Sequence, residues 1–380
     1  MARKRIEENL AYDDGKRRYY AYFDCGTDPQ GRRVRKSRMF ATRQEARQAL
    51  DEFARQRESS ELDAGCVTLG DWLAYWLEDV VRPNLASTTY YCYQCIIKNH
   101  IAPALGQIPL ADLTAQRIQQ YYARMMREKG LSGNSVHKHH ILLHTALKLA
   151  CRQRMLAENP LDWVTPPRQR PPRQLYYTPE QLRTLFQLTQ GTGLELVVKL
   201  GAYLGLRRGE ICGLRWENVD LERRIIRIRS VRTTAGGTVV EKCPKTPTSI
   251  RELGIAGLVD LEQLLRRTRQ EQMDRTRAAG ELWKESGYVL ARADRSPWHP
   301  NQVTWTLEKF VRKNGLPPIS VHGLRHTFAS LANSAHIPLV DIGKALGHKD
   351  ISITGRIYTH LFDQTHNEVL CAVADRIGEG

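Results

Sequence analysis

The chain has 380 residues, long enough for two or three domains, and 41% of them are hydrophobic, enough to build real cores. Lysine and arginine number 57 against 41 aspartate and glutamate, and the net charge of +16 points to a polyanionic partner, nucleic acid before any other. No run of about 18 apolar residues exists, the basic start (residues 1–5) leads into no apolar stretch, and neither terminus carries a basic amphipathic helix or a lipidation signal; a cytoplasmic chain without membrane contact is expected.

The first segment, 1–62, reads as a small sheet with one helix. Residues 17–24 have the aromatic, β-prone look of a strand, residues 26–31 are turn chemistry, and residues 32–40 form a second strand rich in charge. Arg32, Arg33, Arg35, Lys36 and Arg38 make that strand a DNA-contact expectation rather than only a solvated face. Thr42 with Glu45 is a capping box, and a helix is expected to about Arg57.

The second segment, 66–168, reads as all helix. Leu69, Trp72, Leu73, Trp76 and Leu77 recur at helical spacing, which makes the tryptophans core residues. Ser87 is expected to cap a helix carrying Tyr90 to Lys98, residues 102–106 to break it, and a further helix to run over 114–128. Ser132 or Asn134 starts the last helix, which reaches Arg154. Its His137, Lys138, His139, His140 and His144 suggest a DNA-facing or partly buried face rather than a metal site, and Lys98, His137 and Lys138 are taken as DNA contacts. Eight cysteines are scattered and expected to be reduced. Cys92 and Cys95 form one CxxC without a second pair, which favours buried helical thiols over zinc. The proline-rich stretch 165–174 is a stiff linker, and its Arg168 and Arg170 can lie along DNA.

The third segment, 174–380, opens with Thr178-Pro179-Glu180, a helix start, and a helix through Leu196 ends near Gly205. Residues 225–229 and 238–242 read as strands joined by Gly236-Gly237, with 250–255 as a third strand. The whole chain is therefore expected to be multidomain α+β, with a small antiparallel sheet in a mainly helical third part. Four sites here carry chemistry: Gly205-Leu206-Arg207-Arg208-Gly209-Glu210; Pro244-Lys245-Thr246; His322-Gly323-Leu324-Arg325-His326; and Leu346-Gly347-His348 followed by Tyr358. Guanidinium forks, lysine and histidine beside a tyrosine suit a phosphodiester, whose non-bridging oxygens gain charge under attack. Singly each site is weak: Arg207 and Arg208 are also ordinary charges at a helix start. His322 and His326 have zincin spacing, but Gly323 stands where that motif needs glutamate and Arg325 would repel a cation, so no metal is expected.

The ordered set resembles the tyrosine recombinase, or phage integrase, family, and the resemblance covers nearly the whole chain. It implies an arm-type DNA-binding domain (1–62), a helical core-binding domain (66–168, with His100 to Pro103 and Asn159-Pro160) and a catalytic domain (174–380). It also implies roles. Arg207 and Arg325 clamp the scissile phosphate and Glu210 buttresses the arginines. Lys245 protonates the leaving 5′ oxygen, His322 is general base and orienter, and His348 donates to a phosphate oxygen. Tyr358 attacks phosphorus and becomes bonded to the 3′ end. No cofactor, ATP or metal is implied. The implied partners are double-stranded DNA at core and arm sites, a homotetramer on that DNA with the C-terminal helix (362–376) packing in trans, and an excisionase-type accessory protein. A glycine at 355 softens the tyrosine segment. Alternatives are a Xer-like resolvase, against which the basic first segment argues, a regulator without catalysis, against which the complete residue set argues, and a type IB topoisomerase.

Overall fold

A computed structural model describes residues 4–27, 33–53, 67–170, 175–243, 250–279, 286–294 and 296–347; the side chains of residues 4–5, 24–27 and 33–34 are not described. The chain divides into two units, Met1–Pro171 and Pro172–Gly380. The boundary falls in the proline-rich stretch, where prolines cannot continue a helix.

The first unit holds two separate cores. At its start is a four-stranded antiparallel meander: β1 (Lys4–Glu7), β2 (Leu10–Asp13), β3 (Arg18–Thr27) and β4 (Arg33–Phe40), paired in chain order. Two strands were expected here, and β1 and β2 add two more. Tyr19, Ala21 and Phe23 of β3 alternate onto one face. They pack with Leu10, Phe40 and Ala46, Leu50 and Phe53 of helix α1 (residues 43–53). Thr42 and Glu45 form the expected capping box, the Glu45 N–H donating to Thr42 Oγ1 at 3.2 Å and the Thr42 N–H to Glu45 Oε2 at 3.3 Å. β4 is an edge strand. Its Arg35, Lys36 and Arg38 are exposed, and the Arg38 guanidinium lies 5.9 Å from the Phe23 ring.

The helical core of this unit begins with α2 (Leu69–Tyr75), capped by Thr68 and continued by a π turn (Trp76–Val81) and a last turn (Arg82–Asn84). Trp72 and Trp76 are core residues as their spacing predicts, and Trp72 Nε1 donates to the Ala146 carbonyl at 3.1 Å. The next helix, α3 (Ser87–Ile96), is capped by Ala86, so Ser87 is its first residue rather than its cap. Nor does the chain break at Ala102. A π turn (Ile97–Ile101) leads straight into Ala102–Leu105 and the helix ends at Gly106. Pro103 stands just after the π turn, where the ordinary i→i−4 ladder is already interrupted, as the Ala102 N–H bonding to the Ile97 carbonyl shows. α4 (Ala115–Arg127) starts at the Thr114 cap and α5 (Gly133–Arg152) at the Ser132 cap. Tyr121 and Tyr122 of α4 meet His139 Nδ1 and His140 Nδ1 of α5 at 2.9 and 3.0 Å, zipping the two helices together. Asn134 brackets the backbone of Arg170, accepting from its N–H at 2.9 Å and donating to its carbonyl at 2.7 Å.

The second unit is mainly helical. α6 (Pro179–Thr189), capped by Thr178, and α7 (Glu195–Leu204) are followed by the short α8 (Arg208–Gly213). The β strands that follow do not form the one sheet expected. β5 (Val219–Asp220), β6 (Ile225–Ile228) and β9 (Arg251–Gly254) make one antiparallel sheet, while β7 (Val231–Ala235) and β8 (Thr238–Lys242) make a separate hairpin. Gly236-Gly237 thus joins β7 to β8, not β6 to β8. Helices α9 (Val259–Ala279), α10 (Pro300–Lys313), α11 (Val321–Ser334) and α12 (Leu339–Leu346) complete the unit. The buried faces of α6, α7, α10 and α11 and strand β6 share one core. Among the described residues no helix is long and apolar enough to cross a membrane.

His139 carries a pH prediction. Its burial, with the nearby His100 charge, holds its pKa down to about 4. An unfolded histidine titrates at about 6.5, so between those values the unfolded chain binds the extra proton. The stabilisation from neutral His139 is complete above pH 6.5 and is lost as pH falls towards 4. Lowering pH from 7 to 5 should weaken this core by about 2 kcal/mol. Hydrogen exchange of α4 and α5 peptides, corrected for intrinsic rates, checks this. His139→Gln should flatten the pH slope; an unchanged slope would assign it to other groups.

Candidate active site

The site begins where α7 ends. Gly205 takes the left-handed conformation, φ 59°, which closes the helix. The left-handed φ favours glycine, and a side chain there would also press on Leu346 Cδ2 at 2.5 Å and Phe328 Cδ1 at 3.1 Å, so these neighbours would have to shift. Leu206 is fully buried and anchors the turn, which leaves Arg207 as the N-cap of α8. Glu210, one turn on, accepts from the Arg207 N–H and from Arg207 Nη1, both at 2.9 Å. Burial pushes the Glu210 carboxyl up, but the bonds and charge of Arg251, then the Arg207 backbone and charge, outweigh it and hold it below the ordinary value. Glu210 therefore stays ionised and cannot serve as an acid at neutral pH. The Arg207 side chain remains 37% exposed.

Arg325 lies on the first turns of α11, packed against α7, and is 2% exposed. Its Nη1 donates to the Gly205 carbonyl at 2.7 Å and its Nη2 to the Leu346 carbonyl at 2.8 Å. These two carbonyls sit at the C-terminal ends of α7 and α12, where helices leave acceptors unmatched and carry partial negative charge. Gly347, φ 65°, closes α12 as Gly205 closes α7. Three of the four sites named from the sequence thus meet at one guanidinium.

His322 stands one turn before Arg325. Desolvation lowers its pKa, with the Arg325 and Arg207 charges adding, so it is neutral at pH 7 and able to accept a proton. His326 meets it edge-to-face with ring centroids 4.5 Å apart, and burial holds its pKa down to about 4. Among the described residues no group of three or more histidine, cysteine or acidic side chains could hold a metal.

Arg208 is used elsewhere. Its Nη1 donates to Thr304 Oγ1 at 2.8 Å and to Asn301 Oδ1 at 3.5 Å, both on α10. The β7–β8 hairpin, which leads towards Lys245, is clamped at its base. Arg215 holds Glu241 with two bonds of 3.0 and 2.9 Å, Tyr288 donates to Glu241, and the Tyr288 ring lies 4.4 Å from the Arg215 guanidinium and 4.6 Å from that of Arg232. Sequence reading singled out none of these, nor Arg251; they belong to no motif. Lys245, His348, Tyr358 and the expected helix over 362–376 lie outside the described residues, as does Arg32, and the side chain of Arg33 is not described.

Of the remaining expected DNA contacts, Arg35, Lys36, Arg38, Lys98, Lys138, Arg168 and Arg170 are exposed, while His137 is half-buried. Cys92 is exposed and Cys95 half-buried on α3, so the expectation of buried thiols there is corrected; both are free.

The two neighbouring arginines give a direct test. On the phosphate-clamp role that the resemblance implies for it, Arg207→Ala should slow DNA cleavage by about 10²–10³-fold, the loss of one preorganised donor. Arg208→Ala should slow it by less than about 10-fold, because its side chain holds Thr304, and should show mainly as lower thermal stability. Equal loss of cleavage in both, with folding intact, would contradict this division.

The chain matches known proteins along its length. Residues 176–365 match the phage integrase family, residues 68–126 the phage integrase N-terminal SAM-like domain, and residues 11–56 an arm DNA-binding domain. A tyrosine recombinase XerC-like protein of Caldanaerobacter subterraneus subsp. tengcongensis is 27% identical over 92% of this chain and 93% of its own. The ICEBs1 integrase of Bacillus subtilis is 25% identical over 92% and 95%. Among solved structures, the Tn1549 transposon integrase in complex with transposon right end DNA has a TM-score of 0.66 at 20% identity, covering 77% of this chain and 95% of that one. A lambda integrase dimer bound to a COC′ core site has 0.59 at 17%, covering 94% and 96%. With the family matched over half of the chain and both accompanying DNA-binding domains in order before it, the chain belongs to the phage integrase family and is a site-specific tyrosine recombinase that cleaves and rejoins DNA.

Proposed function

We propose that this recombinase integrates and excises a mobile element through a 3′-phosphotyrosine formed by Tyr358. The observation that carries this reading is Arg325 bridging the Gly205 carbonyl, two residues before Arg207, and the Leu346 carbonyl at the end of α12, with His322 one turn before it on α11; His348 and Tyr358 follow α12 in the sequence. Arg207 and Arg325 clamp the non-bridging oxygens of the scissile phosphate, and His348 donates to one of them. Tyr358 Oη attacks phosphorus as its proton passes to neutral His322. The bond to the 5′ oxygen breaks, and Lys245 supplies the proton that leaves with it. A free phenol titrates at about 10, so this positive surround must lower it. Rejoining reverses the steps with a new 5′ hydroxyl. The phosphotyrosine preserves the bond energy, so no ATP is needed.

In this reading residues 1–62 bind arm sites, 66–168 grip the core and 174–380 cut. Arg32, Arg33, Arg35, Lys36 and Arg38 meet the arm duplex; Lys98, His137, Lys138, Arg168 and Arg170 follow the core DNA. The solved lambda integrase includes a tetramer bound to a Holliday junction. A homotetramer on DNA with the C-terminal helix packed in trans is the corresponding proposal here, with an excisionase-type protein setting direction, in the cytoplasm. The match of residues 11–56 to an arm DNA-binding domain supports an integrase over a housekeeping resolvase.

Tyr358→Phe should bind a nicked core duplex normally yet form no covalent adduct, while the unaltered chain forms one even in EDTA. An undiminished adduct in the variant would remove Tyr358 from its role, and complete loss in EDTA would restore a metal. Deleting residues 1–62 should abolish gel shifts on arm repeats and spare those on the core; persistent arm shifts would refute the domain division.

A further inference from the structure

We propose that Arg251 is a positioning residue that keeps the charge of Arg207 available to the phosphate. The proposal deepens the reading above, since it rests on Arg207 being a clamp. Arg251 opens β9, outside the recognised motifs, and its side chain is 8% exposed. It grips Glu210 with both ends of its fork, Nη1 to Oε1 at 3.2 Å and Nη2 to Oε2 at 3.0 Å. Its Nε donates to the Ala345 carbonyl at 2.9 Å, in the last turn of α12.

The charge arithmetic gives these contacts a meaning. One buried carboxylate lies between two guanidiniums, a cluster of net charge +1. With Arg251 in place its charge answers the carboxylate. Arg207 then touches Glu210 through Nη1 and its backbone while staying the exposed member, 37% against 8%. Without Arg251, Arg207 would be the remaining partner of a desolvated carboxylate. Such a carboxylate binds its counter-ion strongly, so Arg207 would be drawn into a neutral pair and lost to the substrate. Arg251 also carries the state of this pair to α12. The same side chain that balances Glu210 holds the end of the helix that leads into His348 and Tyr358. Arg251 is therefore placed to act through two groups without touching DNA.

The test uses full-length protein and nicked core duplexes whose scissile linkage is either a normal phosphodiester or a methylphosphonate. The methyl group removes the oxygen charge that a clamp arginine stabilises. Arg251→Gln should bind the core within about threefold of the unaltered chain yet form adduct about 100-fold more slowly on the phosphodiester, the scale of loss when a distant change misplaces a reacting group. Combining it with Arg207→Ala should add little. On the methylphosphonate both single defects should shrink below about 10-fold. Arg251→Lys keeps the charge but loses the fork and should fall between. It also serves as the deciding variant if Arg251→Gln does not fold. Slowing equal on both linkages, additivity with Arg207→Ala, or an unaltered rate would each overturn the proposal. If instead Arg207→Ala cut at the normal rate, the clamp reading itself would fail, whatever Arg251 did.

Discussion

One guanidinium joins the ends of two helices, and the site is arranged around it. Helices α7 and α12 both stop at a left-handed glycine, Gly205 and Gly347, and both leave carbonyls facing inward. Arg325 answers one carbonyl from each. In a buried place such acceptors could not be left unmatched, and the negative ends of two helices suit a cation. The contact also dictates geometry. It requires α11 to lie against α7, brings the end of α12 to the turn that carries Arg207, and leaves little room at 205, where a Cβ would press on Leu346. Arg325 carries five N–H donors in a planar fork, so one rigid group serves as both brace and candidate clamp.

A positive site must also be kept from collapsing on its own counter-ions. Glu210 is the buried acid among these arginines, and its burial is tolerated because two guanidiniums share it. His322 and His326 are neutral in the folded chain, so they add no repulsion before substrate binds. Arg208, adjacent to Arg207 and chemically identical, is diverted to α10. Position in the fold, not residue type, separates the two.

Much of this was legible in the sequence, and the failures have physical causes. Capping signals at Thr42 and Thr178, and at Ser132 with Asn134 as its alternative, marked helix starts because a side-chain oxygen there satisfies an otherwise unmatched N–H. The helix end at Gly205 was legible because a left-handed glycine closes helices, whereas Arg207 was singled out by the ordered motifs and the resemblance they carry. Strands β1 and β2 were missed because strands of only four residues carry little periodicity. The pairing of β6 was misassigned because its partner β9 lies beyond the whole β7–β8 hairpin, and register between distant strands leaves no local mark. Arg251 and Tyr288 were invisible for the same reason: their roles exist only through partners 41 and 47 residues away. The roles of Lys245, His348 and Tyr358 rest on the resemblance alone, since they lie outside the described residues.

The most direct test of the account is a high-resolution structure of the full chain trapped as its covalent adduct on a nicked core duplex. The account predicts phosphorus bonded to Tyr358 Oη, with nitrogens of both Arg207 and Arg325 within about 3 Å of its non-bridging oxygens and the end of α12 still held against α7. Phosphorus bonded to another side chain, or Arg325 engaged only with the Gly205 and Leu346 carbonyls and remote from the phosphate, would contradict it.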